Sequence, residues 1–286
     1  MQRTALVATF LLAATVASAQ TPVERGAYLV NGILTCGNCH TPKGERGAEL
    51  TDQRHAGSLL PLDSPAFDVK PTNITPDRDT GIGAWSEADI KRSLTDGVRP
   101  DHHTRYPGAP LAPAMPWPYY KIFTPGDLDA VVAYLRSVPA IKNETPAPVY
   151  KAPMAVDIVP GAEKPMSEAE LRDPVKRGFY LVTIAHCMEC HTPITNGRQD
   201  FPKTMGQGGR EFPGPWGMAV SRNITSHREK GLGAWSDAEI KRAITQGVRR
   251  DGTPLKPPMG YAWYARVSDD DLNAVVAYLR TLPPLE

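Results

Sequence analysis

The sequence predicts an all-α protein: two copies of one helical unit joined by a proline-rich linker. Three observations lead there. The 286-residue chain repeats itself from one half to the other. Each half places apolar residues at helical spacing near its start, middle and end. Each half also holds the same cysteine and histidine motif, Cys36-Gly37-Asn38-Cys39-His40 in the first and Cys187-Met188-Glu189-Cys190-His191 in the second. The division that follows is a leader over 1–19, a first unit over 20–141, a linker over 142–172 and a second unit over 173–286.

The leader has Arg3, an apolar run from Ala5 through Val16, and the small residues Ala17-Ser18-Ala19 before Gln20. That is the pattern of a secretory signal peptide with an A-x-A-like cleavage site. The apolar run is short for a membrane span, and no later stretch is long and apolar enough to make one. Removing the leader takes Arg3 with it and leaves basic and acidic residues equal at 31. A neutral chain offers no electrostatic case for nucleic-acid binding.

A first helix precedes each cysteine motif, Val23 to about Leu34 and Val175 to about Ala185. Gly26 and Gly178 lie where another helix could approach, crossing the last helix at Tyr134 or Tyr278, unless these glycines are merely tolerated. After each motif comes a long polar segment rich in glycine and proline, Thr41 to about Thr80 and Thr192 to about Lys230. Loops of that length need something else to organise them.

A middle helix begins behind Ser86 and Ser236, where Ser-x-x-Asp and Ser-x-x-Glu form capping boxes, and ends at Gly97 and Gly247. Ile90 with Leu94, and Ile240 with Ile244, give it an apolar stripe. The last helix starts behind Thr124 or Ser268, again in a capping-box pattern with Asp127 or Asp271. Its stripe is Leu128, Val131, Val132 and Leu135, answered by Leu272, Val275, Val276 and Leu279. Between the units, Pro146, Pro148, Pro153, Pro160 and Pro165 punctuate an extended, semi-stiff linker.

A C-x-x-C-H run is the attachment signature of a c-type haem: two thiols bond the porphyrin and the following imidazole ligates iron. Cys36, Cys39, His40, Cys187, Cys190 and His191 therefore predict two covalently bound haem c groups. A redox-active C-x-x-C pair or a zinc site is the alternative for either motif alone, but zinc would need further ligands at matching positions in both halves, and none exist. Buried porphyrins would organise the long polar segments.

The second axial ligand is expected from Met115 and Met259, which occupy matching proline-rich positions before the last helix. A thioether ligand is soft and raises the reduction potential. Met188 lies inside the motif, Met154 and Met166 lie in the linker, and Met205 and Met218 have no methionine counterparts. His55, His186 and His227 are unmatched. His102 and His103 open a six-residue insertion, and either could displace Met115 to give a bis-histidine haem of lower potential. Trp85, Trp235, Asn73 and Asn223 recur in both halves. They are candidates for hydrogen-bonding a haem propionate, or equally for packing and turns.

Cys36-Gly37-Asn38-Cys39-His40-Thr41-Pro42-Lys43-Gly44, Asn73-Ile74-Thr75-Pro76-Asp77 with Thr80-Gly81-Ile82-Gly83, Gly97-Val98-Arg99 and Pro113-Ala114-Met115-Pro116 resemble the multihaem cytochrome c subunits of bacterial periplasmic alcohol, aldehyde or gluconate dehydrogenases. The resemblance implies two tandem class I cytochrome c domains, His/Met ligation and a periplasmic location. It implies a non-enzymatic relay of electrons from a flavin, quinone-cofactor or molybdenum subunit to a downstream cytochrome, oxidase or quinone of the respiratory chain. The alternative is a dihaem enzyme, peroxidase-like or thiosulfate-oxidising, with one exchangeable axial site. This chain has two motifs where the family's common form has three.

Overall fold

The computed structural model describes residues 20–100, 108–214 and 216–286. The leader over 1–19 and the pair His102 and His103 lie outside the described residues.

In the first half, α1 (Pro22–Tyr28) opens on a complete Thr21/Glu24 capping box and runs on through a π-helical turn, Leu29–Ile33. The attachment motif forms the one-turn helix α2 (Cys36–His40). Helix α3 (Glu87–Asp96) starts at the Ser86/Asp89 capping box and stops at Gly97, whose φ of 69° places it in the left-handed region. The short α4 (Trp117–Tyr120) follows the Met115 loop, and α5 (Pro125–Ser137) closes the unit. The second half repeats the order: α6 (Pro174–Ile184), α7 (Cys187–His191), the extra turn α8 (Phe201–Thr204), α9 (Asp237–Gln246), α10 (Tyr261–Tyr264) and α11 (Asp269–Leu279).

Gly26 and Gly178 are notches. A Cβ on Gly26 would lie 2.0 Å from Ala130 O and 2.6 Å from Tyr134 Cβ, and one on Gly178 would lie 1.9 Å from Ala274 O. Only glycine lets α1 cross α5, and α6 cross α11, at that range.

The all-α expectation does not hold. Strand β1 (Leu62–Asp63) pairs antiparallel with β2 (Phe67–Val69), which pairs in turn with β3 (Val149–Tyr150). In the second half, β4 (Ile194–Thr195) and β5 (Arg198–Gln199) form a hairpin whose turn residues Asn196 and Gly197 have φ of 52° and 75°. Strands β6 (Glu211–Gly214) and β7 (Gly217–Val220) form another. An Asn-Gly pair with positive φ at both positions suits the twist of a two-residue hairpin. Apart from β3, which lies in the linker, these strands occupy the polar segments read as loops. Runs of two to four residues are too short to display a period of two.

The segment over 142–172 is packed rather than free. Its β3 completes the first half's ribbon, Asn143 Nδ2 donates to Ala56 O at 2.8 Å, and Val159, Ala162 and Met166 are buried. One hydrophobic cluster runs through both halves, from Leu29 to Leu282.

The halves face each other across a pseudo-two-fold contact. Arg25 pairs with Asp127 within the first half at 2.7 Å, and the buried Tyr180 of the second half donates to the same carboxylate at 2.8 Å. Its counterpart is Asp271, which receives Arg177 within the second half at 2.5 Å and Tyr28 of the first half at 2.5 Å. Each carboxylate therefore satisfies one charge of its own half and one hydroxyl of the other.

Candidate haem sites

The two motif helices begin alike. Thr35 and His186, immediately before the first cysteine of each motif, hold left-handed backbone with φ of 50° and 45°, and turn the chain sharply out of the preceding helix. The following turn of helix brings Cys36, Cys39 and His40 to one cavity, whose wall also contains Trp85, Arg99 and Met115.

The four cysteines are free thiols. Burial pushes Cys36, Cys187 and Cys190 up to about 12 and Cys39 up to about 11. A redox-active C-x-x-C pair works through a depressed thiol pKa, and the shift here is in the opposite direction. Among the described residues no three His, Cys, Asp or Glu side chains gather to hold a metal ion. The half-buried Cys36 and Cys39 thiols line a largely apolar cavity, where they would add to porphyrin vinyl groups.

The histidines are set for iron. His40 Nδ1 lies 2.6 Å from Thr72 O, and His191 Nδ1 lies 2.6 Å from Arg222 O. A carbonyl only accepts, so Nδ1 carries the proton and Nε2 presents its lone pair. Burial lowers both pKa values and keeps the rings neutral, the form that ligates metal. Thr72 and Arg222 occupy matching positions one residue before Asn73 and Asn223. The repeat marks those loops, but nothing in the sequence assigns a backbone carbonyl this task.

Met115 lines the first cavity with His40. Its loop is held by Met115 N donating to Ala112 O at 2.9 Å and Trp117 N donating to Met115 O at 2.7 Å. Met259 packs against the core at the matching place in the second half.

Asn73 lines the first cavity, yet its amide serves the chain. Oδ1 accepts from Thr75 N at 2.9 Å and Thr75 Oγ1 at 2.7 Å, and Nδ2 donates to Ile141 O at 2.7 Å. Asn223 does the same with Thr225 and Leu285 O. Both asparagines tie the loop beneath each motif to the segment that follows the last helix. Trp85 and Trp235 offer carbonyls to Arg136 and Arg280.

Two residues of the first cavity were not singled out as site candidates by the sequence. Arg99 is buried there and donates to Pro110 O at 2.6 Å and Tyr150 Oη at 3.2 Å, bringing positive charge to the cavity wall. His186 enters the wall from the second half. His55 is fully buried edge-on to Tyr134, and burial drives its pKa down to about 4, so it is a neutral packing residue. His227 Nδ1 accepts from Glu229 N and Lys230 N, capping a loop.

Comparison with known proteins agrees with this arrangement. Residues 23–139 and 175–283 each match the cytochrome c family model. The alcohol dehydrogenase (quinone) cytochrome c subunit of Gluconacetobacter polyoxogenes is 33% identical over 97% of this chain and 61% of its own length. The gluconate 2-dehydrogenase cytochrome c subunit of Pantoea cypripedii is 30% identical over 91% of this chain and 59% of its own. A diheme cytochrome c-type protein of Cereibacter sphaeroides is 28% identical over 88% of this chain and 83% of its own. The chain thus spans about three-fifths of these two dehydrogenase subunits. With a family match in each half, half-buried thiols and a presented imidazole in each motif, the chain belongs to the cytochrome c family and carries two covalently bound haem c groups.

Proposed function

We propose that this chain relays electrons from a periplasmic dehydrogenase to the respiratory chain. The donor is a flavin, quinone-cofactor or molybdenum subunit, and the acceptor is a downstream cytochrome, oxidase or quinone. When bound, each haem supplies a one-electron Fe(III)/Fe(II) couple. The chain's own residues hold and tune it: His40 and His191 orient one face through their carbonyl partners, and Met115 and Met259 supply the opposite thioethers.

The observation that carries the reading is the duplication of the donor set. Each half brings a covalent attachment motif, a carbonyl-oriented histidine and a methionine in a stiff loop. Two filled axial positions suit a carrier, whereas an enzyme needs one open. The names of the relatives support a dehydrogenase as partner. Residues 1–19 read as a signal for export to the periplasm, and among the described residues no helix is long and apolar enough to cross a membrane.

The test mixes the oxidised two-haem protein with catalytic subunits of alcohol and gluconate dehydrogenases and their substrates. Reduction of both haems by one of these systems, with low-spin spectra in every oxidation state, is the expected result. A high-spin resting haem, or peroxide turnover, would replace the carrier with an enzyme.

A further inference from the structure

One side chain crosses between the halves where the attachment motifs meet. The lining of the first haem cavity is drawn from residues between 34 and 145, with a single exception among the described residues, His186. That residue belongs to the second half and directly precedes Cys187. Its backbone is fixed: its N–H donates to Thr183 O at 2.8 Å and its carbonyl accepts from Glu189 N at 2.9 Å. Its ring is fixed as well, with Nδ1 3.0 Å from Glu189 Oε2.

The surroundings place the two motifs against each other. The ring of Trp263, from the second half, lies against Gly37 so closely that a Cβ there would meet it at 2.4 Å. Tyr119 of the first half donates to Gln199 Oε1 at 2.9 Å, and Gln199 Nε2 donates to Met188 O and Glu189 O in the second motif. Thr35, the counterpart of His186, also reaches across: its Cγ2 would sit 3.6 Å from a Cβ on Gly260, the neighbour of Met259. At this position the repeat places a ring in the second half where the first has a short hydroxyl side chain.

We propose that His186 is the positioning residue that couples the two redox centres, forming the bridge along which an electron passes between them. Its peptide bond runs directly into Cys187, which is bonded to the second haem, and its imidazole borders the cavity of the first. Electronic coupling falls more steeply across an empty gap than through bonded and packed atoms, and a ring at this place supplies packed atoms where a shorter side chain would supply fewer. In each transfer one iron passes from ferrous to ferric and the other from ferric to ferrous. His186 keeps its electrons throughout, and no bond to it forms or breaks. The inference rests on the presence of both haems and is independent of the donor's identity.

The experiment is pulse radiolysis of the two-haem protein, with spectral redistribution of the electron between the haems as the readout. His186→Thr copies the residue that holds the same backbone conformation in the first half. It is expected to slow redistribution measurably, because a shorter side chain replaces the ring, with both midpoint potentials and both methionine-to-iron bands unchanged. His186→Phe, which keeps a planar ring, restores the rate. Should His186→Thr fail to retain both haems, His186→Asn takes its place with the same expectation, since asparagine adopts left-handed backbone readily. A wild-type rate in the small-residue variant overturns the proposal. So does loss of a methionine band or a displaced potential, either of which would make His186 part of an iron's own environment. A haem count below two in the unmodified protein would instead overturn the two-haem reading on which this one stands.

Discussion

At the scale of single residues, the iron sites depend on which nitrogen of each histidine holds the proton. Thr72 O and Arg222 O settle that in the two halves through contacts of equal length. A hydrogen-bonded Nδ1 also makes Nε2 a stronger base and fixes the ring plane. The opposite ligand is then the lever on potential, since a thioether favours the ferrous state. Met259→Ala is expected to abolish half of the methionine-to-iron absorption and lower the potential of one haem, leaving the other unchanged. Met115→Ala should remove the other half. Spectra unaffected by Met115→Ala would point to His102 or His103 as that ligand. The motif residues were legible because covalent attachment demands a fixed local spacing, which sequence displays directly. Arg99 and His186 were not legible as wall residues, since their place depends on how remote segments meet in space.

At the scale of elements, the helices follow from caps and stripes. Ser86 and Ser236 accept from Asp89 N and Glu239 N as the capping-box pattern predicts, and both helices end at left-handed glycines. The same pattern at the last helix gave only half the truth. Thr124 and Ser268 do accept the backbone N–H groups of Asp127 and Asp271, but the two carboxylates turn away to the arginines and tyrosines of the contact between halves. A local code cannot reveal a partner about a hundred residues away. The glycine notches gain in the same way from three dimensions, because sequence left close approach and mere tolerance equally open. Gly178→Ala separates two opposing effects. Alanine favours an isolated helix over glycine by about 1 kcal/mol. Its Cβ, however, would lie 1.9 Å from Ala274 O and 2.7 Å from Tyr278 Cβ, both on α11. Overpacking against backbone costs about 3 kcal/mol, so the clash wins. Denaturant unfolding of the haem-loaded variant should show a net loss of about 2 kcal/mol, the difference of those two effects. An unchanged midpoint would mean that α6 and α11 can move apart.

At the scale of the whole molecule, the question is whether two repeated units on a linker behave as two bodies or one. Sequence showed two repeated units and a semi-stiff linker, while the surfaces that meet were not visible in it. The structure joins them by a continuous hydrophobic cluster and by the exchanged pair Tyr180 to Asp127 and Tyr28 to Asp271. Those hydroxyls donate to carboxylates, and hydrogen bonds to charged groups contribute about 2 kcal/mol each. Tyr180 is fully buried, so its removal leaves one lone pair of Asp127 without its partner and without water. The intact protein should therefore unfold in one step, with helix content and haem absorbance changing together. Tyr180→Phe should lower stability by about 2 kcal/mol. Combining it with Tyr28→Phe removes both cross-half bonds and should bring the loss to about 4 kcal/mol if the two act independently. Thermal unfolding followed by circular dichroism and by haem absorbance tests this. Separated transitions in the unmodified protein would show that the halves are independent bodies, and the fixed juxtaposition of the two motifs would lose its basis.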